Sequence, residues 1–242
     1  TQICLHYQPQ VGPQGRILGA EALVRWTRPG RGPVSPATFI PVAEETGLIL
    51  PLGAWVLEEA CRQIMRWSGD PELSRLVVAV NVSSQQFAQP DFVAQVLAIL
   101  ESQGVPPERL KLELTESVLV SDLEEVVSKM RQLREHGVRF SLDDFGSGFS
   151  SFYYLRNLPI DCLKIDGAFV TQLKTSEEDR HLVRAIVELA KAEERNPDLL
   201  CERVLYEFGK PGPLFSRHRP AEYHLIDLTT GLSHGGFISL AG

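Results

Sequence analysis

Residues 143–148 read Asp143-Asp144-Phe145-Gly146-Ser147-Gly148 and directly follow the apolar run Val138-Arg139-Phe140-Ser141-Leu142. A strand end holds the first carboxylate rigidly, and the next side chain points elsewhere because successive strand residues alternate in direction. The glycines let the backbone turn sharply and come close to a ligand. Adjacent carboxylates repel each other unless positive charge sits between them, and a divalent cation with oxygen ligands is the simplest such partner. Further polar residues stand at or near the ends of other strand-like runs: Glu21, Asn81, Glu113 and Lys164. Three carboxylates and a carboxamide, with an amine nearby, make a donor set suited to a hard metal ion.

Each residue also has a plainer reading. Glu21 could be a solvated hairpin residue, and Asn81 could cap the turn Asn81-Val82-Ser83-Ser84. Glu113 alternates with Leu112 and Leu114, so it could face solvent from an edge strand. Asp143 or Asp144 could cap the following loop, and Lys164 could extend its amine to water from a strand end. Together these readings weaken, because five strands would each need an unrelated explanation. A structural calcium loop is disfavoured, since the ligands come from separate strands rather than one local segment.

The elements that must carry these residues follow from periodicity. Residues 3–8 and 16–24 read as strands around the turn Gly12-Pro13-Gln14-Gly15, a hairpin pattern. Ser35-Pro36 opens a short helix. A helical stripe runs over 52–67, through Trp55, Val56, Ala60, Ile64 and Trp67. Residues 76–82 form a nearly continuous apolar run, as a buried parallel strand does. Residues 91–103 read as a helix closed by Gly104. Next come a strand at 110–114, a helix at 122–136 and a strand at 138–142. The spacing then predicts a short helix over 150–157, a strand over 162–165 and a helix over 176–192. Strand and helix in alternation point to a (β/α) barrel or a doubly wound sheet. In a barrel the C-terminal strand ends converge on one face, and that face carries the chemistry.

Composition narrows the classes. The chain has 242 residues, 43% of them apolar and 23% charged, which fits a packed globular domain. Its net charge of −7 argues against a basic face for a nucleic-acid polymer. A small phosphate ligand held through metal ions is not excluded by that charge. Cys4, Cys61, Cys162 and Cys201 are far apart and form no CxxC pair, a spacing suited to reduced, mostly buried thiols in a cytoplasmic protein. No apolar run is long enough to cross a bilayer.

The motifs occur in a recognisable order. Glu21-Ala22-Leu23 lies within Glu21-Ala22-Leu23-Val24-Arg25-Trp26. Around it stand Leu5-His6-Tyr7-Gln8-Pro9-Gln10, Phe39-Ile40-Pro41, Glu44-Glu45-Thr46-Gly47 and Asn81-Val82-Ser83. Glu113-Leu114-Thr115-Glu116-Ser117, the Asp143 to Ser151 segment and Lys164-Ile165-Asp166 complete the set. In order and spacing this resembles the EAL domain, the cyclic di-GMP phosphodiesterase module of bacterial signalling proteins. The resemblance covers residues 1–192, with 193–242 as a divergent C-terminal part of the same domain.

The resemblance implies an α/β, TIM-like barrel with an antiparallel first strand and atypical or incomplete last βα units. It implies Mg²⁺ or Mn²⁺, as two ions, with Glu21, Asn81, Glu113 and Asp143 on the first and Asp144 on the second. Lys164 would sit on the nucleophilic water, and Glu116 would anchor the loop after the Asp-Asp pair. Gln8, Leu23 and Arg25 match ligand-contacting positions, and Asp166 matches an acidic position beside the site. The implied partners are cyclic di-GMP, flanking regulatory domains in a longer protein and a second copy of the chain. A catalytically silent sensor or a protein-contact scaffold built on the same domain is the alternative.

The C-terminal part departs from the family pattern. The family's Ala-Glu-Gly-Val-Glu stretch has its nearest counterpart in Leu200-Cys201-Glu202-Arg203-Val204, so Glu202 stands in for the catalytic or metal-linked glutamate. Pro211 stands where a ligand-binding glutamine is usual. The chain between these positions is too short for a full crossover helix. Residues 223–228 and 237–240 are candidate final strands.

Overall fold

The computed structural model describes residues 2–11, 17–120, 122–145 and 158–165, together with the strand segments Leu205–Phe208, Glu222–Ile226 and Ser233–Gly235. The expected helices at 150–157 and 176–192 lie outside the described residues. The chain divides into two compact units, one chiefly residues 1–10 and 17–140, the other chiefly 141–238.

The first unit is built on strands β1 (Ile3–Val11), β2 (Ile17–Arg28), β4 (Val77–Val82) and β5 (Leu110–Thr115), side by side in that order. A short β3 (Gly32–Val34) returns antiparallel on the end of β2. The first strand is antiparallel, whereas β2, β4 and β5 run parallel. Parallel neighbours need long crossovers, and helices provide them. Helices α1 (Pro36–Glu45) and α2 (Ile49–Trp67) join β2 and β3 to β4. Helices α3 (Ser84–Phe87) and α4 (Phe92–Gln103) join β4 to β5. Helix α5 (Leu123–Glu135) follows β5.

The local signals explain the ends. Pro36 occupies the first turn of α1, where its missing N–H costs nothing. Gly104 closes α4 with φ +67°, a left-handed conformation that a side chain would strain. Asp122 caps α5 by accepting from the backbone N–H of Glu124 at 3.0 Å and of Glu125 at 3.3 Å. Helix α2 starts at Ile49, three residues before the expected 52, and buries Val56, Leu57, Ala60, Cys61 and Ile64. The helix-covered side of the sheet is apolar: Ala20, Ala22, Val78, Val80, Val82, Leu110, Leu112 and Leu114 are all buried. Two cations brace it. Arg109 donates to the carbonyls of Leu76 and Leu73 and to Ser68 Oγ. Lys129 donates to the carbonyls of Phe87 and Gln89.

Tyr7 of β1 meets Trp67 of α2 edge-on, with ring centroids 5.2 Å apart. Its hydroxyl is buried with no hydrogen-bond partner among the described residues. Burial pushes its pKa from 10.0 up to about 12. Above pH 10 the unfolded chain releases this proton while the folded chain keeps it, so stability falls as pH rises through about 10 to 12. Tyr7→Phe should remove that part of the decline without loss of stability at neutral pH. Circular dichroism followed through an alkaline titration of both proteins checks it, and parallel curves would contradict it.

Strands β6 (Arg139–Phe145) and β7 (Cys162–Ile165) carry the second unit's parallel pair. Strand β7 coincides with the expected 162–165. The C-terminal part is an antiparallel sheet of β8 (Leu205–Phe208), β9 (Glu222–Ile226) and β10 (Ser233–Gly235) in the order β10-β9-β8. Antiparallel neighbours need no crossover helix between them. Strand β9 answers to the expected 223–228. Strands β8 and β10 were not foreseen, and 237–240 lies outside the described residues. Cys61 and Cys162 are buried and Cys4 is exposed, and burial pushes the Cys61 thiol up to about 12. Among the described residues no helix is long and apolar enough to cross a membrane.

Candidate functional site

Residues opposite each other in neighbouring strands share a face, and so do residues two apart in one strand. Glu21 pairs with Ala79, and Asn81 pairs with Glu113. Glu21, Asn81 and Glu113 therefore lie on one face, opposite the apolar side covered by helices. Glu21 is 7% exposed and Glu113 1% exposed. These values remove the plainer readings of both as solvated residues. Asn81 Nδ2 donates to Glu21 Oε1 at 2.7 Å, which reserves the amide oxygen for another partner. Asn81 is not the turn cap either, since Ser83 caps α3 by accepting from the N–H of Gln86 at 3.1 Å.

Buried carboxylates are costly unless charge or hydrogen bonds compensate them. Two such carboxylates and one carboxamide oxygen, drawn from adjacent strands, fit a hard divalent ion in kind. Among the described residues no three His, Cys, Asp or Glu side chains cluster as a ready-made metal cage. The first unit's donors are thus two carboxylates and an amide, the amide hydrogen-bonded to Glu21 and in register with Glu113.

Gly19 lets β2 approach β4 closely. A Cβ built on Gly19 would lie 2.4 Å from the Val77 carbonyl oxygen. Gly19→Ala should force β2 away from β4 and cost about 1–3 kcal/mol of unfolding free energy. Urea denaturation measures it, and an unchanged midpoint would show that the strands yield freely.

In the second unit, Leu142 pairs with Leu163 and Phe145 pairs with Ile165. Asp143 and Asp144 together oppose the single residue Lys164, so the register shift is a β-bulge. Asp144 has φ +53°, the left-handed conformation that aspartate tolerates better than most side chains. Its backbone N–H donates to Asp143 Oδ1 at 2.9 Å. The bulge gives the adjacent carboxylates different directions, with Asp144 exposed and Asp143 half-buried. Lys164 is 6% exposed and its Nζ donates to Asp143 Oδ2 at 3.0 Å. Lys164 is thus an inward-facing ammonium paired with a carboxylate, not a cation reaching for water.

Of the remaining expected residues, Gln8, Leu23 and Arg25 are half-buried on β1 and β2. Arg25 Nη1 donates to the Val24 carbonyl at 3.0 Å. Glu116 opens the 3₁₀ turn Glu116–Val120 that follows β5. Asp166 and Glu202 lie outside the described residues. Sequence reasoning overlooked Gly19 and the hydroxyls of Ser83, Ser84, Thr115 and Ser117. Their signal was small or hydroxyl-bearing residues crowding the strands that carry charge.

The family described as "EAL domain" matches residues 1–204. The chain belongs to the EAL domain family. Over 191 residues this EAL chain is 44% identical to the bifunctional diguanylate cyclase/cyclic di-GMP phosphodiesterase MucR of Pseudomonas aeruginosa, covering 78% of the chain and 28% of that protein. It is 40% identical over 191 residues to the cyclic di-GMP phosphodiesterase PdeR of Escherichia coli, covering 79% of the chain and 29% of that protein. The chain thus spans less than a third of the length of these two curated relatives. The solved PaMucR phosphodiesterase in complex with c-di-GMP superposes with a TM-score of 0.74 at 43% identity, covering 79% of this chain and 77% of that one. The α/β class with an antiparallel first strand, expected from the sequence, is the TIM-barrel-like fold of these EAL neighbours.

Proposed function

We propose that this protein is a divalent-metal-dependent phosphodiesterase that opens cyclic di-GMP to the linear dinucleotide. The observation that supports this most is the Glu21–Asn81–Glu113 set, two buried carboxylates and a carboxamide on one sheet face at the ends of parallel strands. Glu21, Asn81, Glu113 and Asp143 are the proposed ligands of the first Mg²⁺ or Mn²⁺, and Asp144 belongs to the second. When bound, such ions polarise phosphoryl oxygens and acidify a water molecule.

The chain's own groups do the rest. Asn81 orients the Glu21 carboxylate through its amide. Asp143 holds the Lys164 ammonium in place, and that ammonium directs the attacking water and offsets negative charge as the P–O bond breaks. Arg25 supports a phosphate of the substrate, Gln8, Leu23 and Asp166 line the rest of the nucleotide, and Glu116 is the proposed anchor of the loop after the Asp143-Asp144 pair. Glu202 is the proposed further acidic group. The net charge of −7 is no obstacle, because cations supply the local positive field. A cytoplasmic signalling protein with flanking regulatory domains, able to pair with a second copy, is the setting this activity suits.

Incubation with cyclic di-GMP in Mg²⁺, Mn²⁺ or EDTA, followed by separation of products, tests the reading. Linear dinucleotide formed only with metal supports it. Binding without product would assign a sensor. Neither binding nor product would leave a protein-contact scaffold.

A further inference from the structure

Ser117 Oγ lies 2.7 Å from Thr115 Oγ1 and 2.8 Å from Ser84 Oγ, so one hydroxyl joins two segments 33 residues apart. Thr115 is the last residue of β5, two beyond Glu113, and Ser84 is the first residue of α3, three beyond Asn81. Asn81 and Glu113 face each other directly, and the β4–β5 register ends one step later at Val82 and Leu114. The backbone ladder therefore stops just past the two donors. The hydroxyl bridge continues the connection beyond that point, from two residues past Val82 to three past Leu114. Ser83 supplies the helix cap and leaves the Ser84 hydroxyl available for the bridge. A hydroxyl has one proton and two lone pairs, so Ser117 can donate to one neighbour and accept from the other. Glu116 lies between the bridged residues Thr115 and Ser117, so the bridge also sets the start of its turn.

We infer that Ser117 is a positioning residue for the cation site: its hydroxyl clamps the ends of β4 and β5 and holds Asn81 and Glu113 at the separation an ion requires. This rests on the reading of those two residues as ligands. The bridge is partly solvated, and water replaces an exposed hydroxyl in part. The loss is therefore smaller than for a buried partner of a ligand, about three- to tenfold in cation affinity.

Isothermal titration of the 242-residue chain with Mn²⁺, without nucleotide, tests this. Ser117→Ala should weaken Mn²⁺ binding about three- to tenfold, Ser84→Ala should do much the same, and Ser117→Thr should restore most of it. In turnover at subsaturating Mn²⁺, Ser117→Ala should lower kcat with KM for cyclic di-GMP little changed. A Ser117→Ala protein with wild-type Mn²⁺ affinity overturns the clamp, and so does one whose urea midpoint falls while affinity holds, since that marks a purely structural role. A wild-type chain that binds no Mn²⁺ overturns the ligand assignment itself and the clamp with it.

Discussion

Glu113→Gln is expected to lower cyclic di-GMP hydrolysis on the order of 10³-fold while leaving the fold intact. Loss of an outer partner that orients a ligand costs about 10–100-fold, and loss of the ligand costs more. Glu113 is 1% exposed and faces Asn81 across the β4–β5 pair. Glutamine has the same shape and hydrogen-bonding reach but carries no charge to balance a cation. The isosteric change preserves packing, so unfolding of each protein in EDTA gives the baseline from which the effect of an ion is read. Mn²⁺ should raise the unfolding temperature of the wild type but not of the variant, because only the wild type gains stability from a bound ion. Thermal unfolding with and without Mn²⁺, beside a product assay, separates the two effects. A Glu113→Gln protein with wild-type turnover and the same Mn²⁺ stabilisation would falsify the metal assignment.

The second large effect concerns Asp143 and Lys164. Asp143→Asn should abolish hydrolysis and also destabilise the metal-free protein by about 1–3 kcal/mol, because it deletes the carboxylate facing a buried ammonium. Lys164 Nζ lies 3.0 Å from Asp143 Oδ2, with side-chain exposures of 8% and 22%. Lys164→Met takes that ammonium away. It should cost about 10²–10⁴-fold in turnover, the range for a positioned proton-handling group. The double variant should be inactive yet more stable than Asp143→Asn alone. Urea unfolding in EDTA of all four proteins yields the coupling energy. Strict additivity would mean that the pair contributes nothing to the fold, leaving Lys164 with a catalytic task alone.

Much of this was legible in the residue pattern. The helix at 91–103 announced its end with Gly104, whose φ of +67° a side chain would resist. The strand at 162–165 was likewise written in local chemistry. The start of α2 was missed by three residues because Ile49 and Leu50 continue its apolar stripe without a capping side chain. The C-terminal strands were harder to foresee. Antiparallel pairing there depends on partners far along the chain, and β-propensity is decided by what a strand packs against. The hydroxyl bridge was invisible for a related reason, since Ser84 and Ser117 look like ordinary loop polarity until β4 and β5 align.

The amino-acid sequence by itself determined which residue types stand at the strand ends, and their order along the chain placed it in the EAL family. It could not say whether Glu21, Glu113 and Lys164 face water or the interior, because one residue of register exchanges the two faces of a strand. The tertiary structure decided that. Parallel pairing of β2, β4 and β5 puts Glu21, Asn81 and Glu113 on one face, with the two carboxylates buried and Asn81 exposed. A bulge turns Asp143 and Asp144 apart, so that Asp143 meets Lys164 and Asp144 stays exposed. Burial is a property of neighbours, and only the folded chain supplies them.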